Sequence, residues 1–168
     1  MTIPSKEQCL KILKENNVPD NIVAHLKAVH NFSIQLCDVL EKRGVHVNRD
    51  LVAAGALLHD IKKTSSDDHV IGGYEFIKSL GFPEVALLVR KHSLVHLQSD
   101  DFTPKTWEEK IVFYADKRVQ GDKIVSIDER FEYARKRYKK PDIEEEFELT
   151  KKIEEEILGD KSYNNKKI

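Results

Sequence analysis

A histidine and an aspartate stand side by side at the end of an apolar run, Leu57-Leu58-His59-Asp60-Ile61. Withdrawn from water without partners, two such groups cost on the order of several kcal/mol. A divalent cation satisfies both at once. Neutral imidazole nitrogen and carboxylate oxygen together suit Mn, Fe, Co, Ni or Zn, and the two cysteines, Cys9 and Cys37, are not spaced to build a soft-metal site. His25 and Asp116 sit in comparable places, beside the apolar stripes of an earlier and a later helix. A lone histidine on a half-buried helix face is more often a hydrogen-bonded core residue than a ligand, but four such residues in apolar helices require a common partner. The chemistry open to this set is hydrolytic. A bound ion lowers the pKa of water from about 15.7 to about 7, and two ions about 3.5–4 Å apart stabilise the oxygens of an in-line displacement at phosphorus.

Helices must position these residues, and the sequence reads as helical throughout. Ser5 caps a short helix to about Glu15, ended by Asn16, Asn17 and Pro19. From Asp20, the series Ile22, Val23, Leu26, Val29, Phe32, Leu36, Val39 and Leu40 has a period near 3.6 and stops at Gly44, with His25 beside the stripe. Asn48 or Asp50 begins a helix that is apolar almost all round through Leu58, the pattern of a central, buried element. Ser66 or Asp67 is expected to cap the next, which carries His69 and ends at Gly81. Pro83 opens a helix expected to place His92 on its apolar face. Pro104 and Trp107 open one whose stripe Ile111, Val112, Ala115, Val119 borders Asp116. A helix over Ile124 to Tyr138 and a final amphipathic one marked by Ile143, Phe147, Ile153, Ile157 and Leu158 complete an all-α reading of seven or eight helices in an orthogonal bundle. Residues 1–158 read as one domain with its motif core over 23–130, and 159–168 as a polar, flexible tail.

The chain of 168 residues is long enough to bury a core without disulfides. Its 28 basic and 29 acidic side chains nearly cancel, so no nucleic-acid polymer or anionic membrane is expected as the main partner. The cysteines read as ordinary thiols of a reducing cytoplasm, and neither a signal peptide nor an apolar stretch of membrane-spanning length is evident. His92 and His96 are four apart, as in a zinc-protease pair, but Ser93 stands where a glutamate would follow; His96 reads as a rim residue and His46 as a loop residue. The Glu144-Glu145-Glu146 and Glu154-Glu155-Glu156 runs read as exposed faces of the last helix, balanced by Lys151 and Lys152.

The order of the candidate ligands, a helical histidine, a His-Asp doublet after two leucines, then an aspartate in a later helix, resembles the HD-domain metal-dependent phosphohydrolase superfamily over about residues 23–130. The likeness extends to the surroundings: His25-Leu-Lys-Ala-Val29, Ala54-Gly-Ala-Leu-Leu-His59-Asp60-Ile, and Tyr114-Ala-Asp116-Lys117. His25 places Val29, Ser33 and Leu36 at the family's offsets, with His30 as the alternate. In two-metal branches a histidine opens the helix after the doublet and another lies near the end of the helix beyond; His69, before Ile71-Gly72-Gly73, and His92, after Val89-Arg90-Lys91, fill those positions.

The resemblance implies one or two divalent transition-metal ions held by His25, His59, Asp60, His69, His92 and Asp116, with Asp60 bridging and with Asp60, Lys63 and His69 catalytic. It implies cleavage of a phosphoester of a small molecule, a nucleotide or related compound, by metal-activated hydroxide, with Lys63, Lys117 and Arg118 offsetting the phosphate charge. Two alternatives share the ligand set: a di-iron oxygenase of the same superfamily, and a non-catalytic regulatory module that binds metal. One position departs from the family. Many relatives read HDIGK, whereas here Lys62 replaces the glycine and Lys63 keeps the lysine, so the approach to the site is expected to gain bulk and charge.

Overall fold

The computed structural model describes residues 2–94, 100–139 and 141–159, which form eight α-helices, one 3-10 turn (Asp100–Phe102) and a two-stranded ribbon. His96 and residues 160–168 lie outside the described residues. Helix α1 (Lys6–Glu15) starts at a capping box in which Ser5 accepts from the Gln8 amide and the Gln8 side chain accepts from the Ser5 amide. Helix α2 (Asp20–Lys42) buries the expected stripe from Leu26 to Leu40, and α3 (Arg49–Leu58) is capped by Asn48. Asp68, rather than Ser66 or Asp67, caps α4 (His69–Ser79): its carboxylate accepts from the amides of Val70 and Ile71, and Ser66 Oγ donates to the Asp68 carbonyl. Helix α5 (Pro83–Arg90) has proline in its first turn, and α6 (Trp107–Lys117) opens on a second capping box, Thr106 with Glu109.

The segment after α6 departs from the helical reading. Strands β1 (Val119–Gln120) and β2 (Lys123–Ile124) pair antiparallel around Gly121, whose φ of +62° suits glycine, and α7 (Ile127–Arg137) starts at a Ser126–Glu129 capping box instead of at Ile124. Two-residue strands are too short to show alternation. Helix α8 (Ile143–Leu158) closes the described chain.

The buried helix α3 packs against α1, α2, α5 and α6, while α2 also meets α6, α8 and the ribbon. The two fully buried leucines of α3, Leu57 and Leu58, each contribute about 1.5–3 kcal/mol relative to exposure. Two glycines set the approach of α5. A Cβ at Gly55 would lie 2.5 Å from Leu88 Cδ2, and one at Gly73 would lie 2.9 Å from Val89 Cγ1. Helix α5 therefore lies close to both α3 and α4, which draws the ends of the three helices together. Both cysteines are free and buried, and burial pushes each thiol up to about 12, so they pack as protonated core residues. No described helix is long and apolar enough to cross a membrane.

Candidate metal centre

The six candidate ligands come from helix ends as much as from helix faces. His25 projects from α2 and Asp116 from α6; His59 is the C-cap of α3, with Asp60 next to it; His69 is the first residue of α4. His92 is not on the face of α5 as expected, because that helix ends at Arg90. The Lys91 amide bonds to the carbonyls of both Leu87 and Leu88, tightening the last turn, and His92 follows in the turn beyond. Lys91 Nζ, 2.7 Å from Glu109 Oε1, anchors that turn to α6, and Lys117 Nζ donates to the His92 carbonyl at 2.9 Å.

The arrangement closes on itself. His25 Nε2 lies 3.1 Å and His59 Nε2 3.5 Å from Asp116 Oδ1; His59 Nε2 is 3.8 Å from Asp60 Oδ2; His69 Nε2 and His92 Nε2 are each 3.3 Å from Asp60 Oδ1. Two trios, His25–His59–Asp60 and Asp60–His69–His92, each have ligand atoms within 4.8 Å of one another, and Asp60 belongs to both. Ligands about 2.0–2.2 Å from a tetrahedral ion stand about 3.3–3.6 Å apart, the spacing seen here.

Hydrogen bonds to the far side of the rings fix which nitrogen faces inward. The Nδ1 of His25 lies 2.7 Å from the Gly121 carbonyl, that of His59 2.9 Å from Ala56 O, and that of His92 2.6 Å from Val89 O. A carbonyl only accepts, so Nδ1 carries the proton in all three. In the neutral ring Nε2 is then a lone pair aimed at a carboxylate. Acceptor faces acceptor, which is unfavourable unless a cation lies between. The Nε2 atoms of His59 and His69 are buried without a hydrogen-bond partner. The donor set and its geometry thus fit divalent metal.

Asp60, Asp116 and His92 are held in the forms that ligate, whereas His25 is shifted the other way. Burial pushes the His92 imidazole down to about 4, against the pull of Asp60, which keeps it neutral at ordinary pH. Burial would raise the Asp60 carboxyl, but its neighbours His59, His69 and His92 outweigh it and hold Asp60 ionised. For Asp116 the same burial is outweighed by the Lys117 ammonium and by His25 and His59. Burial lowers the His25 imidazole, but Asp116, the Gly121 carbonyl and Asp60 together outweigh it and raise it.

The expected phosphate contacts divide. Lys63 is partly exposed at the mouth of the site, its Nζ 3.3 and 3.4 Å from the two Asp60 oxygens. Lys117 lines the site but is buried and held by Asp116 Oδ2 at 2.7 Å and Glu146 Oε1 at 3.3 Å. Arg118 is not brought to the site: it donates to the Val125 carbonyl, Tyr114 Oη and Glu154. Lys62 does not crowd the approach. It turns to Asn16 Oδ1, 3.3 Å away, with its ammonium over the Phe76 ring. His30 pairs with Asn31 on another side of α2 and belongs to neither trio. His46 is an exposed loop residue.

The glutamate runs of α8 are not merely an exposed face. Glu146 is buried against Lys117, while Glu154 and Glu156 pair with Arg118 and Lys110. The signal was in the spacing, since Glu146, Thr150, Ile153 and Ile157 fall on one buried stripe. Sequence reasoning also did not reach the wall of the site. A cavity of about 500 Å³ runs from His69, His92 and Asp116 across α7 and α8, past Arg130, Phe131, Ala134, Tyr138 and Ile143.

Comparison with known proteins accords with this geometry. The HD domain family matches residues 22–120. A tRNA (cytidine(56)-2'-O)-methyltransferase of Picrophilus torridus is 33% identical over 168 residues, covering 92% of this chain and 47% of its own length. The chain thus spans about half the length of that relative. An uncharacterized protein of Methanocaldococcus jannaschii is 35% identical over 136 residues, 73% of this chain and 80% of its own. A dihydroneopterin 2',3'-cyclic phosphate phosphodiesterase from the same organism is 33% identical over 113 residues, 56% of this chain and 44% of its own. No solved structure matches the chain.

Proposed function

The chain belongs to the HD domain family, and from that premise we propose that it is a metal-dependent phosphohydrolase acting on a small phosphoester, a nucleotide or a related cyclic phosphodiester. The observation that carries the reading is the set of Nε2 lone pairs of His25, His59 and His92 directed at the Asp60 and Asp116 carboxylates, an arrangement that makes chemical sense around cations. The phosphodiesterase relative supports phosphorus as the reacting atom.

His25, His59 and Asp116 with Asp60 would hold one ion, and His69 and His92 with Asp60 the other. Such ions supply Lewis acidity toward phosphoryl oxygens and lower the pKa of water. The chain's residues do the rest. Carbonyls of Gly121, Ala56 and Val89 orient three of the rings, so the ligand nitrogens are set before substrate arrives. Lys117 neutralises Asp116 from behind and stays out of the reacting space. Lys63, at the mouth, is the cation free to move from Asp60 onto a phosphoryl oxygen, and His69, the more exposed of the two imidazoles in its trio, stands beside it. Phe131 and Ala134 give the cavity an apolar wall against which an organic group excludes water.

The test is elemental analysis of metal-loaded protein, followed by phosphate release and ¹⁸O incorporation from labelled water on a panel of nucleoside monophosphates and 2',3'-cyclic phosphates. Label in the product at two ions per chain supports the reading. Failure to bind added Mn, Fe, Co, Ni or Zn would sink it.

The methyltransferase similarity, which extends over 92% of the chain, favours a second reading in which the module serves an RNA-modifying protein. Tight binding of tRNA together with no turnover of any small phosphoester would select that alternative.

A further inference from the structure

We propose that Arg130 of α7 binds the substrate's phosphate, while the rings of Phe131 and Tyr138 receive a planar organic group; this rests on the phosphoester reading above and names the substrate class as phosphoesters of an aromatic or heterocyclic group. The cations around the metal centre differ in what already occupies them. Lys117 is held by Asp116, Glu146 and the His92 carbonyl, Arg118 by Val125, Tyr114 and Glu154, and Lys63 by Asp60. Arg130 lines the same cavity, yet among the described residues its side chain forms no hydrogen bond or ion pair, and its Nε is buried without a partner.

A guanidinium presents five donors in a planar fork that matches a phosphate's oxygens, and its burial without an acceptor is costly. Lys117 lines the same cavity, so Arg130 adds a second cation to that wall. Two neighbouring cations, one lacking any carboxylate, make a wall that an anion relieves. The next residue, Phe131, is buried in the core and shares the cavity with the half-exposed Tyr138, so the charged edge is continuous with an aromatic one. A ring fits that surface at little entropic cost.

The probes are phenylphosphonate and methylphosphonate, which keep the anion but cannot be hydrolysed, titrated calorimetrically into metal-loaded wild type, Arg130→Gln, Arg130→Lys and Tyr138→Ala. Arg130→Gln is expected to weaken both probes about tenfold or more, Arg130→Lys less, with metal content and melting temperature unchanged because the side chain holds nothing in the fold. Tyr138→Ala is expected to reduce only the preference for phenylphosphonate. Wild-type affinity for both probes in Arg130→Gln overturns the inference. A failed hydrolase reading gives a different pattern, in which no phosphoester is turned over while phosphonate binding still depends on Arg130.

Discussion

Two buried charge clusters adjoin one another at the end of α5, and they are built on opposite terms. In the Lys91–Glu109 pair every carboxylate oxygen has a donor: Oε1 accepts from Lys91 Nζ at 2.7 Å, and Oε2 accepts from the amides of Lys105 at 2.7 Å and Thr106 at 3.1 Å. One residue on, His92 enters a cluster in which lone pairs face carboxylate oxygens and two Nε2 atoms have no partner. Burial is similar in both. The difference is that the first cluster is closed by the protein's own hydrogens, whereas the second is closed only by a cation. Unsatisfied acceptors, and not buried charge as such, mark the candidate site.

That contrast breaks most sharply at Asp60. Asp60→Ala removes the carboxylate common to both trios, and metal affinity should fall by more than the ~100-fold typical of losing a partner behind a ligand, with phosphoester turnover lost. Circular dichroism should still show the helices, which pack through an apolar core. Full activity in this variant would remove the metal mechanism. The converse change is Lys91→Met, which strands Glu109 in the interior and should cost about 3–5 kcal/mol in denaturant unfolding, with the metal stoichiometry of the folded protein kept. If Lys91→Met lost metal at unchanged stability, the two clusters would not be the separate devices argued here. Chelator addresses only the open cluster. A ligand at ~100 times its Kd stabilises by about 2.7 kcal/mol, so stripping metal should lower the melting temperature of wild type and leave that of Asp60→Ala where it was.

The residues that the fold gathers around Asp60 were legible in the sequence because helix periodicity set His25, His59, Asp60 and Asp116 on or beside apolar faces, and the family likeness added His69 and His92. Less legible was what depends on packing. His59 and His92 act from helix ends, and the α5 terminus is set by Lys91 reaching Glu109 across the fold. The ribbon that offers the Gly121 carbonyl to His25 is too short to leave a pattern. Long side chains were read least well: Lys62, two residues after the doublet, turns away to Asn16 and Phe76, while Arg130, in none of the quoted motifs, reaches the cavity. Lys62→Met tests this directly. It should cost less than about 1 kcal/mol of stability and leave kcat/KM within about twofold; a large gain in kcat/KM would mean that Lys62 obstructs the approach after all.

The smallest effect sharpens the contrast at a buried histidine belonging to neither cluster. His30 is largely buried on α2, and burial, with a minor contribution from Lys6, lowers its pKa against the hydrogen bond to Asn31. The folded chain therefore keeps the ring neutral where the unfolded chain, at about 6.5, takes up a proton. Because the folded value is the depressed one, His30 contributes stability that is fully present above pH 6.5 and is lost as the pH falls from there through the folded value. Urea midpoints measured with chelator present, so that metal release does not enter, should decline between pH 7 and 5 less in His30→Gln than in wild type. Identical slopes would mean that the unfolded chain gains no proton at this position that the folded one lacks. A histidine that is buried, neutral and away from the carboxylates shifts stability with pH and leaves metal content alone, which separates burial of an imidazole from its use as a ligand.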